Sequence, residues 1–188
     1  MLKRINIVTT NEGKAREFTE LGKTFNVDVN IVRLPKIEIQ SNTLESVALT
    51  SAVIASLQLS MDVVVEDAGL FIRALNWFPG VYSSFVYKTI GVKGILKLMK
   101  GIKDRYAYFK SVIAFADIRR GIIKLFTGVT EGSISYEARG SQGFGFDPIF
   151  IPRGSGKTYA EMTVNEKNAW SHRSKAFKEL VRWLTTTF

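Results

Sequence analysis

Ile5-Asn-Ile-Val-Thr9, followed at once by Thr10-Asn-Glu-Gly-Lys14, decides the fold class: it reads as a buried strand running into a helix. The apolar run is too short for a helix and suits a strand interior, whereas the residues after Asn11 read as a helix to about Leu21. Working outward, Val27–Leu34 alternates as a second strand. Leu44–Leu59 is an amphipathic helix, with Leu44, Val47, Ala48, Ser51, Ala52 and Ala55 on one stripe and Asn42 and Glu45 at capping spacing before it. Val63–Glu66 suits a short central strand, and Trp77–Tyr82, punctuated by Pro79-Gly80, reads as a loop. Ala107–Ile118 and Ile122–Thr130 are long strands joined through a hairpin at Arg119-Arg120-Gly121. Phe146–Ile151 reads as another strand, and a last helix covers Asn165–Leu184, with Thr163 and Glu166 spaced as a capping box. Strands alternating with helices, plus one long hairpin, predict an α/β protein with a mixed sheet. No linker divides the chain, so residues 1–188 are expected to form a single domain.

With 188 residues, 46% apolar and 23% charged, the chain is long enough to bury a substantial core. It has no cysteine, which excludes disulfides, thiolate metal sites and cysteine nucleophiles. Met1-Leu-Lys-Arg-Ile-Asn-Ile-Val8 carries cations but no apolar segment of the kind a signal peptide needs. The longest mainly apolar stretch, Val47–Leu59, is too short and too interrupted by Ser and Thr to span a bilayer. A cytoplasmic protein without a membrane partner is the expectation.

The net charge is +9, and the stretch from Tyr87 to Lys124 alone supplies +8, from ten Lys or Arg against two acids. Within it, Val92, Ile95, Leu96, Met99 and Ile102 recur at helical spacing while Lys93, Lys97 and Lys100 fall elsewhere. That pattern reads first as a solvated lysine face. The alternative is a polyanion-binding patch, and such a basic surface also draws small phosphorylated molecules toward a cleft.

Three segments have the residue types for chemistry. Thr9-Thr-Asn-Glu-Gly-Lys14 is a strand-to-helix turn, where free backbone N–H groups and a first-turn lysine favour phosphate. Glu66-Asp67 places two carboxylates after an apolar run, with Glu38 some thirty residues earlier. Such oxygens suit Mg²⁺ or the activation of a water, unless the strand has simply reached solvent there. In Gly143-Phe-Gly-Phe-Asp147, Phe144 and Phe146 offer aromatic surface around Gly145 with a carboxylate alongside, and Lys167, the lone His172 and Arg173 are three cations within seven residues. A flat polar ring held beside a cationic cluster is what a nucleotide site needs. Gly154-Ser-Gly-Lys-Thr158 imitates the end of a P-loop, but Ile151 stands where a glycine is required and no helix follows directly, so it reads as a turn.

Thr9–Lys14, Glu66-Asp-Ala-Gly-Leu70, Phe78-Pro-Gly-Val-Tyr82, Gly143–Phe150, Thr158-Tyr-Ala-Glu-Met162, Glu166-Lys-Asn168 and Ser171-His-Arg173 occur in the order found in inosine triphosphate pyrophosphatases, which the whole chain resembles. The resemblance implies an elongated two-lobed α/β domain, a cleft between the lobes and a homodimer. It implies Mg²⁺-dependent hydrolysis, with Mn²⁺ as a substitute, of ITP, dITP and XTP to monophosphate and pyrophosphate. By motif position, Thr9, Asn11 and Lys14 are implied to hold the triphosphate, with Thr10, Glu12, Gly13 and Ala68 also substrate-binding. The resemblance implies that Glu38, Glu66 and Asp67 would surround the metal, with Asp67 the base for the attacking water, that Phe144, Gly145, Phe146 and Asp147 would lie about the purine, and that Lys167, His172 and Arg173 would read its 6-oxo group. Two positions depart from the family: Thr50 stands where a phosphate-reaching lysine is usual, and Ala68 where a hydroxyl is common. A related pyrophosphatase for modified pyrimidines is disfavoured by the aromatic pair and Ser171-His-Arg173. The reading from another class is a noncatalytic nucleotide- or RNA-binding protein using residues 87–124. Nucleic acid is not the partner expected.

Overall fold

The computed structural model describes residues 4–35 and 37–187. Among these residues six strands form one mixed sheet in the order β2-β1-β3-β4-β5-β6. β1 (Arg4–Val8) runs parallel to β2 (Asp28–Val32), with Ile7 opposite Ile31, and parallel to β3 (Val63–Ile72). β5 (Ile122–Ile134) runs antiparallel to β6 (Phe150–Pro152). The predicted hairpin is present: β4 (Tyr106–Asp117) turns through Ile118–Arg120 into β5, and Gly121 takes the left-handed conformation that the turn requires (φ +66°).

The chain forms two compact units, and the long strands pass from one to the other. The first comprises Met1–Asp67, Ser111–Gly128 and Arg173–Phe188. Its core joins Ile5 and Ile7 of β1, Phe18 and Leu21 of α1 (Glu12–Phe25), Ile113 and Phe115 of β4, and Phe177 and Leu180 of α6 (His172–Thr187). The second comprises Ala68–Lys110 and Val129–His172. Its core joins Leu70 and Ile72, Ile95, Phe109, Phe150, Tyr159 and Met162.

Several element boundaries differ from the sequence reading. The helix α2 spans Leu44–Leu59 as expected, but its cap is Thr43, whose hydroxyl accepts the Ser46 N–H; Asn42 is not the cap. β3 is ten residues long, so Glu66 and Asp67 lie within the strand and not at its solvent end. The segment 146–151 is not all strand: Asp147–Ile149 forms a 3-10 turn, with Pro148 lacking the N–H a ladder needs, and only Phe150–Pro152 pairs. The last helix is two. α5 (Val164–Trp170) starts in the expected capping box of Thr163 and Glu166, then stops at Ser171, whose extended backbone (ψ 146°) separates it from α6. Ser171-His172-Arg173 therefore straddles a break, which sends neighbouring side chains in different directions.

The basic segment begins in two short helices, α3 (Ser83–Thr89) and α4 (Gly91–Leu98), the second opening at Gly91 with φ +62°, and continues through β4 into β5. Ile95 and Met99 are buried, Val92, Leu96 and Ile102 pack against the same core, and Lys93, Lys97 and Lys100 are exposed. This is the solvated lysine face. Gly154–Thr158 is a turn in which Thr158 caps the 3-10 segment Tyr159–Glu161, as expected of a false P-loop. No helix among the described residues is long and apolar enough to cross a membrane.

Candidate active site

In the first unit, the chain leaves β1 at Val8 and enters α1 at Glu12. Asn11 caps the helix: its Oδ1 accepts the Lys14 N–H at 3.0 Å. The buried Thr9 hydroxyl accepts the Asn11 N–H at 3.1 Å and fixes the turn. With Oδ1 committed to the cap, Asn11 offers an anion its Nδ2 donors. The Glu12 carboxylate is held by Arg33 at 2.6 Å, so its own contribution to an anion is its backbone N–H. Thr10 is exposed and Gly13 buried.

Lys14 reaches back to β3. Its Nζ lies 2.7 Å from Glu66 Oε2 and donates to the Glu66 carbonyl at 3.0 Å, which uses two of the three ammonium donors. Glu66 is 2% exposed. It also accepts from the Ser111 hydroxyl at 2.8 Å and faces Arg173 Nη2 at 3.1 Å. Burial pushes its pKa up. The charges of Arg173 and Lys14, with hydrogen bonds from Lys14 and Ser111, outweigh that and hold the carboxyl well below the usual carboxylate range. Arg173 is buried too, and its Nη1 pairs with Glu17 Oε2. Lys14, Glu66, Arg173 and Glu17 thus form a charge-balanced buried cluster.

Glu66 therefore anchors Lys14 and Arg173, its carboxylate facing two cations, and Arg173 sits at the centre of an ion-pair cluster with Glu66 and Glu17. Adjacent strand residues face opposite sides. Glu66 accordingly points inward while Asp67 is half-buried on the other face. Glu38 is exposed on the segment before α2. Among the described residues no three His, Asp or Glu side chains come together as a metal cage. Asp67 and Glu38 still suit Mg²⁺, a hard cation that takes one or two carboxylates and fills its remaining positions with phosphate and water. Thr50 is half-buried, whereas its neighbour Ser51 is buried and donates to the Ile37 carbonyl at 2.8 Å.

In the second unit, which begins at the half-buried Ala68, the 143–147 loop folds around Asp147. Asp147 Oδ2 accepts the Phe144 N–H at 2.8 Å and pairs with Lys167 Nζ at 2.5 Å. Gly143 is required here, since a Cβ at this position would stand 2.1 Å from Asp147 Oδ2. Phe144 is the half-buried ring of the loop, with Lys167 Nζ 5.0 Å from its centroid. Phe146 is a core side chain, 3% exposed and edge-on to Tyr87 at 5.6 Å, so it does not form a second wall of a pocket. Gly145 between them has open space beside it. His172 is buried and stacks on Phe109 at 4.7 Å.

The predicted residues therefore gather as two groups, one in each unit: Thr9 to Lys14 with Glu66 and Arg173, and Phe144 and Asp147 with Lys167 and His172. Glu17, Ser111, Phe109 and Tyr159 were missed. Glu17 left a signal, because it shares the buried stripe Gly13–Glu17–Leu21 of α1, an acid among apolar neighbours. A cavity of about 170 Å³ in the first unit, lined by Arg4, Asp62, Asp117 and Arg120 among others, contains none of these residues.

Comparison with known proteins adds to this geometry. The profile of the Ham1 family matches residues 5–183. The chain is 52% identical over 180 residues to a dITP/XTP pyrophosphatase of Hyperthermus butylicus, covering 96% of this chain and 94% of that one. It is 50% identical over 187 residues to a dITP/XTP pyrophosphatase of Saccharolobus solfataricus, covering 98% and 96%. A solved HAM1 protein from Coxiella burnetii superposes with a TM-score of 0.84 at 33% identity, covering all of both chains.

Proposed function

Because the chain belongs to the Ham1 family, we propose that it is a pyrophosphatase of nonstandard purine nucleoside triphosphates, hydrolysing ITP, dITP and XTP to the monophosphate and pyrophosphate. The observation that supports the base assignment is in the second unit: the ammonium of the buried Lys167 lies 5.0 Å from the half-buried ring of Phe144, and Tyr159 touches both Lys167 and the buried single His172. Donors directed at position 6 accept an oxo group. Against the 6-amino group of adenine they leave a buried group unpaired, at about 1–3 kcal/mol.

The phosphates are assigned to the first unit. Backbone N–H groups at the start of α1, Asn11 Nδ2 and the remaining Lys14 donor neutralise and orient the chain of oxygens, with Glu66 holding Lys14 in place. Asp67 accepts a proton from the attacking water, whose oxygen bonds to the α-phosphorus as pyrophosphate departs. Asp67 and Glu38 would hold Mg²⁺, which when bound supplies positive charge to the phosphate oxygens. Thr50 supplies no cation and Ala68 no hydroxyl to this work, so Lys14 has the larger share of it.

The test is pyrophosphate release by purified protein. ITP and XTP should exceed ATP in kcat/KM by at least about tenfold, and EDTA should abolish release. Equal rates on ITP and ATP would overturn the base assignment, and full activity in EDTA would remove the metal.

A homodimer is part of the same proposal. Trp77, Phe78, Tyr82, Phe85, Tyr87, Ile90 and Leu98 are large apolar side chains exposed within one short segment of the second unit, more than a monomer ordinarily shows to water. Light scattering should give about twice the 21.1 kDa chain mass, and Phe85→Lys, at 67% exposed the most open of these, should shift it toward the monomer. A single-chain mass for the unaltered protein would refute it.

A further inference from the structure

The side chains around His172 answer a question that the proposed base recognition raises: what keeps the imidazole in one plane. The torsion between Cβ and a flat ring is broad and supplies no fixed orientation of its own. In the second unit the His172 ring lies parallel to Phe109, with centroids 4.7 Å apart and an 8° interplanar angle. β4 places Phe109 there by alternation, since Ala107, Phe109 and Ser111 all fall on its buried face. Phe109 is itself held. Phe150 meets it edge-on at 4.8 Å and 74°, and Tyr159 lies 6.0 Å away. Phe150 and Tyr159 are both fully buried. Tyr159 also touches the second donor: its ring centroid is 5.2 Å from Lys167 Nζ and 6.3 Å from the His172 ring.

We infer that Phe109, locked by Phe150 and Tyr159, is a positioning residue for base selectivity: it fixes the plane of His172. Tyr159 keeps Lys167 and His172 in register with each other. Hydrogen bonds weaken steeply with misalignment, so a His172 ring free to swivel would satisfy a 6-oxo group less well and lose discrimination against a 6-amino group. The inference rests on the assignment of His172 to the base, and it gives a role to Tyr159 in the motif Thr158–Met162.

The protein has one histidine, so the imidazole C–H resonances of tag-free protein report on this ring alone. In the unaltered protein they should lie upfield, shielded by the face of Phe109. Phe109→Leu keeps apolar volume but no flat face. It should move those resonances downfield and lower the ITP-to-ATP ratio of kcat/KM by roughly ten- to a hundredfold, mostly through KM for ITP, while kcat at saturating ITP changes less. Phe109→Tyr keeps the ring and should restore both the shift and the ratio. If Phe109→Leu does not fold, Phe109→Met carries the same expectation. Unshifted resonances in the unaltered protein, or a ratio that survives loss of the ring, would overturn the inference. Failure of the base assignment looks different: His172→Ala would leave the ratio unchanged while the upfield shift in the unaltered protein still reports the stack.

Discussion

Asp67→Asn is expected to lower kcat for ITP by about 10²–10⁴-fold, the range typical of a lost general base, with the fold intact. Asparagine has nearly the same size and shape as aspartate but cannot take a proton from water. Asp67 is half-buried on the face of β3 opposite Glu66, so the isosteric change replaces a side chain that is not part of the packed core. Pyrophosphate release measured beside the thermal midpoint separates the two effects. A midpoint close to that of the unaltered protein with turnover nearly gone supports the assignment. Retention of the full rate would remove Asp67 from the role of base.

The neighbouring carboxylate should behave in the opposite way. Glu66→Ala leaves the half-buried ammonium of Lys14 and the buried guanidinium of Arg173 without their shared anion, and breaking a buried pair in this manner costs about 3–5 kcal/mol. For a chain of this length that corresponds to a fall in Tm on the order of 6–20 °C. The loss should appear in EDTA as well as in Mg²⁺. A carboxylate whose only work was metal binding would instead leave the metal-free protein as stable as before, or more so. The pH dependence follows from the depressed pKa of Glu66. Folding stabilises the ionised form, so the contribution is complete above the ordinary value of about 4.5 and is lost as pH falls through the lower folded value. The stability gap between the unaltered protein and Glu66→Gln should therefore be widest near neutrality and close in acid. Urea titrations at pH 7 and pH 3 check this, and a gap that widens in acid would contradict it.

The contrast between these residues shows how two adjacent acids acquire separate duties. In the chain they are neighbours, and their proximity invites a shared metal site. In β3 they are divided by the pleat, one turned to buried cations and the other left half-open. The same division occurs at Ser171, where an extended residue ends α5 and His172 and Arg173 leave in different company: a ring stack in the second unit and an ion-pair cluster in the first.

The α/β class, the extent of α2, the β4–β5 hairpin, the capping box at Thr163 and the family itself were legible in the amino-acid order alone. Each depends on local periodicity, on a turn or cap residue, or on motifs that survive as short strings. The lysine face of α4 was legible for the same reason, since helical spacing separates Ile95 from Lys93 and Lys97 without reference to any other element. What only the tertiary structure decided is partnership. Glu17 meets Arg173 across 156 positions of chain, and Ser111 meets Glu66 across 45. Phe109 is brought under His172 by a strand and a helix far apart in sequence. Whether a buried charge is an anchor, a ligand or a base is settled by which opposite charge or ring folding places within a few ångströms, and no local pattern encodes that distance.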